Sequence, residues 1–180
     1  NMRNNEQPPK INFPDFIPID DSTELRLITL TDTLDFYKLA LDQDVHKYLP
    51  WAQSVNSLND TEFVINRFIK ENQQGFSYRY GIFLEKKLIG YIGIWKDKLA
   101  DNCMQTGTAL ISHYRGQGLA NKCRKGIEQV AWLNGINRLA SYVSSSNTAS
   151  VRMLNKAGYV DTGISNEQDE KRYEKILSAE

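Results

Sequence analysis

Between Thr108 and Gly135 the periodicity of the chain changes once, and sharply. The run Thr108-Ala-Leu-Ile111 is short and apolar, as a buried strand is. Tyr114-Arg115-Gly116-Gln117-Gly118-Leu119-Ala120 follows it. From there Leu119, Cys123, Ile127, Val130 and Ala131 recur on one side of a helical pattern, and Gly135 stops it. The stretch therefore reads as strand, Gly-rich turn, helix. A helix N-terminus carries unpaired N–H groups and the positive end of the helix dipole, and both attract anions. Gly116 and Gly118 remove the side chains that would keep a phosphate from the backbone, and Arg115 adds a cation at the mouth. Two readings fit these residues: a site for a phosphate or pyrophosphate, or a plain strand-to-helix turn with a Gly-rich entry. The Walker pattern is absent, because no Gly-Lys-Ser/Thr follows the spacer. The dinucleotide fingerprint Gly-x-Gly-x-x-Gly fails at its last position, which is Asn121.

The rest of the chain mixes strands and helices. Residues 1–16 are polar, contain Pro8, Pro9 and Pro14, and are expected to form a flexible N-terminal arm ahead of one domain over 17–180. Ile17-Pro-Ile19 suits a short edge strand, and Glu24 to Thr29 alternates as a half-buried strand does. Thr31 is placed to cap a helix carrying Leu34, Tyr37 and Leu41. Thr61 to Gln73 reads as a second helix with Asn59 or Asp60 as its cap. Between the two lies Tyr48-Leu-Pro-Trp51, an aromatic, Pro-marked stretch suited to substrate contact. Tyr80 to Leu84 and Leu88 to Trp95 flank Glu85-Lys86-Lys87 as a hairpin. A third strand, Met104 to Ile111, leads into the glycine loop. Leu139 to Val143, Tyr159-Val160 and Arg172 to Leu177 complete the strands, with a helix after Asn147 and an acidic turn over Asn166 to Glu170. This order predicts an α+β architecture built on a mixed sheet.

Composition removes several functions. Of 180 residues, 22 are Lys or Arg and 22 are Asp or Glu, so the formal net charge is zero. No basic excess points to nucleic acid or to an anionic membrane. No apolar run is long enough to span a bilayer and no secretory segment is visible, so a cytoplasmic protein is expected. Asn1 stands ahead of Met2, and Met2 is expected as the natural start. Cys103 and Cys123 lack metal-ligand spacing and read as free thiols filling core positions. His46 and His113 are the two histidines; neither joins a metal cluster or a nucleophilic triad, and His113 reads as a loop residue facing solvent.

The loop Arg115-x-x-Gly118-x-Ala120 resembles the Arg/Gln-x-x-Gly-x-Gly/Ala loop of the GCN5-related N-acetyltransferases (GNAT). Farther on, Asn147-Thr-Ala-Ser150-Val-Arg-Met-Leu-Asn-Lys156-Ala-Gly158-Tyr159 is similar to that family's second cofactor segment. The match runs from about Glu24 to Leu177. The Leu49-Pro-Trp51 element, Asp60-Thr61, Ser150 and Lys156-Ala-Gly158 resemble the RimJ/RimL branch, which acetylates N-termini of ribosomal proteins. The resemblance implies a single GNAT-like domain with a mixed, mostly antiparallel central sheet flanked by helices, its central strands splayed to admit a thioester.

The resemblance also implies the chemistry: acetyl transfer from acetyl-CoA to a primary amine, directly in a ternary complex, with coenzyme A as product. Arg115, Gly116, Gln117, Gly118, Leu119 and Ala120 would hold the pyrophosphate. A backbone amide near Leu110 and Ile111 would bind the acetyl oxygen, and Asn147 would contact the pantetheine arm. Many members carry a Tyr, seven residues after the Asn, as acid for the departing thiolate; here that position is Leu154. Ser150 is the substitute, or else a helix-surface hydroxyl. Trp51 either lines the acceptor groove or packs an interhelical loop. Gln105 stands where relatives often have Glu. Glu167, Asp169 and Glu170 lie in the late turn as candidates for a general base or as surface charges. Three functions follow: acetylation of a protein N-terminal α-amine, acetylation of a polyamine or aminoglycoside, or non-catalytic acyl-CoA binding. Members of the family often form homodimers, although nothing in this sequence marks an interface.

Overall fold

Strong β-formers cluster in three stretches, and these become the long strands of one sheet. The computed structural model describes residues 11–179. In chain order the elements are β1 (Phe16–Pro18), β2 (Thr23–Leu27), α1 (Thr33–Ala40), α2 (Gln43–Tyr48), α3 (Pro50–Gln53) and α4 (Leu58–Gln73). Then come β3 (Ser77–Leu84), β4 (Lys87–Lys96), β5 (Cys103–Leu110), α5 (Leu119–Leu133), β6 (Arg138–Ser144), α6 (Thr148–Lys156), β7 (Val160–Ser165) and β8 (Glu170–Ile176). The described residues form an eight-stranded sheet in the order β1-β2-β3-β4-β5-β6-β8-β7. Its ladders are antiparallel except for β5 and β6, which run parallel. A right-handed crossover through α5 is the usual way to join such a pair.

The β3–β4 hairpin turns through Glu85 and Lys86, both at positive φ (50° and 66°), the geometry that suits strand twist in a two-residue hairpin. Both faces of β3 and β4 are covered. One face packs Tyr80, Ile82, Ile92 and Ile94 against Cys123, Ile127 and Ala131 of α5. The other packs Phe83, Leu88 and Tyr91 against Phe36, Trp51, Val64 and Phe68 of the first four helices. Burial on both faces is why these strands read as nearly continuous apolar runs rather than alternating ones.

Local signals shifted in three places. The first helix begins at Thr33, behind a 3-10 turn over Leu30–Asp32, so Thr31 does not cap it. The Asp32 carboxylate there takes the N–H of Thr29 at 2.9 Å and the guanidinium of Arg26 at 3.1 Å. Helix α4 starts earlier than expected, with Ser57 accepting from the N–H of Asp60 at 3.0 Å. Its Asp60 caps in the reverse direction, taking the N–H of Asn56 at 2.9 Å. The arm expected over 1–16 falls outside the described residues as far as residue 10. From residue 11 the chain is pinned: Phe13 is buried beside Tyr78, and the hydroxyls of Tyr78 and Tyr80 donate to the carbonyls of Ile11 and Pro14 at 2.7 Å each.

Candidate active site

The parallel ladder between β5 and β6 is short. Cys103, Met104 and Gln105 pair with Arg138, Leu139 and Ala140, and the register ends there. Beyond it the strands part, bridged at the fork by the Ser141 hydroxyl donating to the Thr106 carbonyl at 2.9 Å. Thr108 to Leu110 and Tyr142 to Ser144 then face a cleft of about 380 Å³. The splayed strands expected of the fold are therefore present.

At one end of this cleft stands the N-terminus of α5. Gly118 is its N-cap at φ +77°, and Gly116 lies at φ +78°. A Cβ at either glycine would meet no other atom within 4 Å, so the space beside the loop is open. No side chain among the described residues caps the helix, and its first turn holds no acidic residue. The first amides of a 15-residue helix are thus left to an external acceptor. An uncapped helix start, approachable at the backbone, fits a diphosphate.

Arg115 lines the cleft, but its guanidinium is turned aside. It donates to Asp44 at 2.9 Å, to Asp42 at 2.5 Å and to the Leu110 carbonyl at 2.7 Å. Asp42 also caps α2 and accepts the Ser112 N–H at 3.1 Å. Burial pushes the Asp42 carboxyl up, yet the Arg115 and Ser112 hydrogen bonds win and hold it below the usual carboxylate range. The cation expected at the mouth of the loop is thus bound to two carboxylates, and it ties α2 to the end of β5.

Across the cleft Asn147 caps α6, its side chain accepting the Ser150 N–H at 3.4 Å. Leu110, Arg115, Gly116, Gly118, Leu119, Ala120, Asn147 and Ser150 all line the one cleft. Ile111 and Gln117 do not; Ile111 packs against the second core and Gln117 is exposed.

Trp51 is not brought to the cleft. It is 5% exposed, stacked on Phe36 at 4.4 Å between centroids and set edge-on to Phe68. Pro50 does not mark a loop here; it occupies the first turn of α3, where its missing N–H costs nothing, and that turn drives Trp51 inward. The expectation of a groove-lining Trp51 is corrected to a core aromatic. Trp51→Phe should lower stability by about 1–2 kcal/mol and leave acetyl-CoA affinity unchanged, read by thermal melting and by calorimetry.

Other residues enter that sequence reasoning passed over or left open. Tyr48 reaches across the cleft, its hydroxyl donating to the Ser146 carbonyl at 3.3 Å. Of the three late-turn carboxylates, Glu170 lines the cleft, held by the Asn166 side-chain amide at 2.9 Å. Asn166 organises that turn, also accepting the Glu170 N–H at 2.9 Å. Arg124 also lines the cleft. Gln105 is structural, donating to Asp97 at 3.0 Å and accepting from the Trp95 indole at 3.2 Å. Cys103 and Cys123 are free and buried, and burial pushes both thiols up to about 12, which leaves them inert at neutral pH. His113 is exposed, edge-on to Tyr114. No helix among the described residues is long and apolar enough to cross a membrane.

Comparison with known proteins agrees with this geometry. The acetyltransferase (GNAT) domain model matches residues 23–160. A ribosomal-protein-serine acetyltransferase of Escherichia coli (strain K12) is 23% identical over 150 residues, covering 82% of this chain and 84% of that protein. Among solved structures, the RimL ribosomal L7/L12 alpha-N-protein acetyltransferase in complex with coenzyme A superposes with a TM-score of 0.80 at 20% identity, over 92% of this chain and 99% of the other. The Microcin C7 self immunity acetyltransferase MccE, in complex with acetyl-CoA and AMP, gives a TM-score of 0.80 at 18% identity, over 93% of this chain and 99% of the other. With its splayed sheet, its glycine loop and a family match over most of its length, the chain belongs to the GNAT acetyltransferases, which use acetyl-CoA as co-substrate.

Proposed function

We propose that the chain acetylates a protein N-terminal α-amine by direct transfer from acetyl-CoA in a ternary complex. The observation that carries this reading is the convergence, in one cleft, of an uncapped helix start at Gly118, two parted strands and two carboxylates, Asp44 and Glu170. The amides at the start of α5 hold the diphosphate, and the parted edges of β5 and β6 flank the pantetheine arm. Asn147 contacts that arm. Bound acetyl-CoA supplies an activated acetyl group. Asp42 and Asp44 share the one cation of Arg115, and the single negative charge left over, on the exposed side of Asp44, attracts the protonated amine to the rim. Glu170 takes the proton that the amine must lose before it attacks. Ser150 donates a hydrogen bond to the sulfur as it leaves.

The choice of a protein N-terminus over a polyamine or an aminoglycoside rests on the relative that acetylates ribosomal-protein serine. It is tested by following coenzyme A release from acetyl-CoA against N-terminal peptides, polyamines and aminoglycosides. Turnover with the peptides is expected. Turnover confined to the polycations would overturn the acceptor assignment. Tight acetyl-CoA binding with no turnover on any class would favour a non-catalytic binding module. Ser150→Ala should slow turnover about a hundredfold, the low end of what one hydrogen-bond donor to developing negative charge contributes, with acetyl-CoA affinity retained. Wild-type turnover in that variant would remove Ser150 from the reaction.

A further inference from the structure

Arg124 is a cation in a place where cations are costly. It projects from the second turn of α5 and is 2% exposed. One nitrogen, Nη2, donates to the Thr108 hydroxyl at 2.8 Å, on the stretch of β5 that has left the ladder. The guanidinium lies over the Tyr159 ring, 5.4 Å from its centroid. Its Nε and Nη1 are buried with no hydrogen-bond partner among the described residues. Native proteins seldom leave such groups unmatched without a use for them.

The surroundings do not neutralise it. Glu128, one turn along α5, is the nearby carboxylate, and it is already engaged. Lys175 of β8 reaches it at 2.8 Å and the Tyr159 hydroxyl donates to it at 3.1 Å. Arg124, Glu128 and Lys175 together therefore carry one net positive charge, and of the three Arg124 lines the cleft. Burial pulls the Arg124 pKa down, opposed by Tyr159 and Glu128, so an anion beside it would be strongly favoured.

Leu154 lines the same cleft and is 2% exposed, so that position supplies no proton. We propose that Arg124 is the fixed positive charge that receives the departing thiolate of coenzyme A. This rests on the acetyl-CoA reading above. The amine nitrogen bonds to the acetyl carbon, the carbon–sulfur bond breaks, and its electron pair stays on sulfur. Glu170 passes the proton it took before the attack to water in the cleft, and then takes the second proton, which the nitrogen sheds as the amide forms. Arg124 keeps its protons throughout; from the wall of the cleft its fixed charge, unmatched by any hydrogen bond at Nε and Nη1 among the described residues, lowers the energy of the negative charge developing on sulfur. Ser150 acts from the α6 side on the same atom.

The test is the titration of the thiol of bound coenzyme A, followed by thiolate ultraviolet absorbance in the intact protein. Cys103 and Cys123 stay protonated well above neutral pH and leave that window clear. In the wild type the bound thiol should titrate about 1–2 pH units below free coenzyme A, the usual effect of a close opposite charge. Arg124→Met keeps the bulk and removes the charge. There desolvation is opposed by Ser150 alone, and the thiol should titrate clearly higher than in the wild type, near its free value or above it. Desulfo-coenzyme A, which lacks the sulfur, should bind both proteins equally. A bound thiol that titrates with free coenzyme A in the wild type, or at the same pH in both proteins, would overturn the proposal even if Arg124→Met folds poorly. Failure of coenzyme A to bind the wild type at all would instead overturn the acetyl-CoA reading, and this proposal with it.

Discussion

Gly118→Val should abolish measurable acetyl-CoA binding in a protein that still folds. Gly118 sits at φ +77°, where an L residue pays a conformational cost of about 1–2 kcal/mol. At this chain length that is a fall in Tm of about 2–8 °C. The loss of affinity comes from elsewhere. The new side chain would clash with nothing in the protein, because its Cβ meets open space. It would occupy the place from which an anion reaches the first amides of α5. Contact with the backbone itself is what the site offers, so affinity should fall more than about a hundredfold. The molecule contains its own control. Gly135, just beyond the other end of α5, has φ +78° and equally open surroundings. Gly135→Val should cost similar stability and leave calorimetric affinity unchanged. Equal affinities in the two variants would sink the loop assignment.

The largest loss of stability is expected from the pair Arg172 and Asp97. Both side chains are fully buried, joined by two bonds of 2.8 Å, and Arg172 also donates to Glu174 at 2.7 Å and to Tyr142 at 3.2 Å. The pair fastens β8 to the segment between β4 and β5, across the fork of the sheet. Arg172→Met leaves a buried carboxylate facing Gln105 and the Ala100 N–H alone. Removing one member of such a pair costs about 3–5 kcal/mol, or roughly 10 °C in Tm for a domain of this size. Adding Asp97→Leu to that variant should restore much of the loss. Acid provides a second readout. Burial raises the Asp97 pKa, but hydrogen bonds from Arg172 and Gln105 outweigh it and hold the carboxyl down to about 2. A carboxyl depressed by folding stabilises above its unfolded value, about 4. Its contribution drains away as pH falls from there through about 2. Asp42 acts in the same direction. Melting temperatures across this range should therefore slope less steeply in Asp97→Asn than in the wild type.

What could be read from the sequence was what neighbours in the chain decide. The glycine loop, the helix after it and the helix that starts after Asn147 each depend on residues within a turn or two of one another. Gly118 and Asn147 accordingly stand where local pattern put them. Arg115 shows the limit. Its residue type promised a free cation, but its partners Asp42 and Asp44 lie some seventy residues earlier and arrive through the fold. Trp51 failed for the same reason, since Phe36, Phe68 and Tyr91 converge on it from three other elements. Arg124 was hidden differently. The inward stripe of α5 takes in Ala120, Arg124 and Glu128 as well as Leu119, Cys123 and Ile127. A charged residue at helical spacing looks like a solvated face unless the width of the buried stripe is known.

The forked ladder has a consequence for how such a sheet survives in a crowded solution. Past Gln105 and Ala140, two strand edges stop pairing with each other. Unsatisfied edges of this kind are normally hazards, because they recruit foreign strands and seed aggregates. Here the two edges face one another across a gap lined by Tyr48, Arg124 and Leu154 among others. A polypeptide seeking an edge would have to thread a slot closed at the fork by Ser141. A slim chain bearing its own amides needs only to slide in from the open end. On the acetyl-CoA reading, the defect gives a slim ligand a channel between two strands while leaving no length of free edge along which a foreign strand could pair.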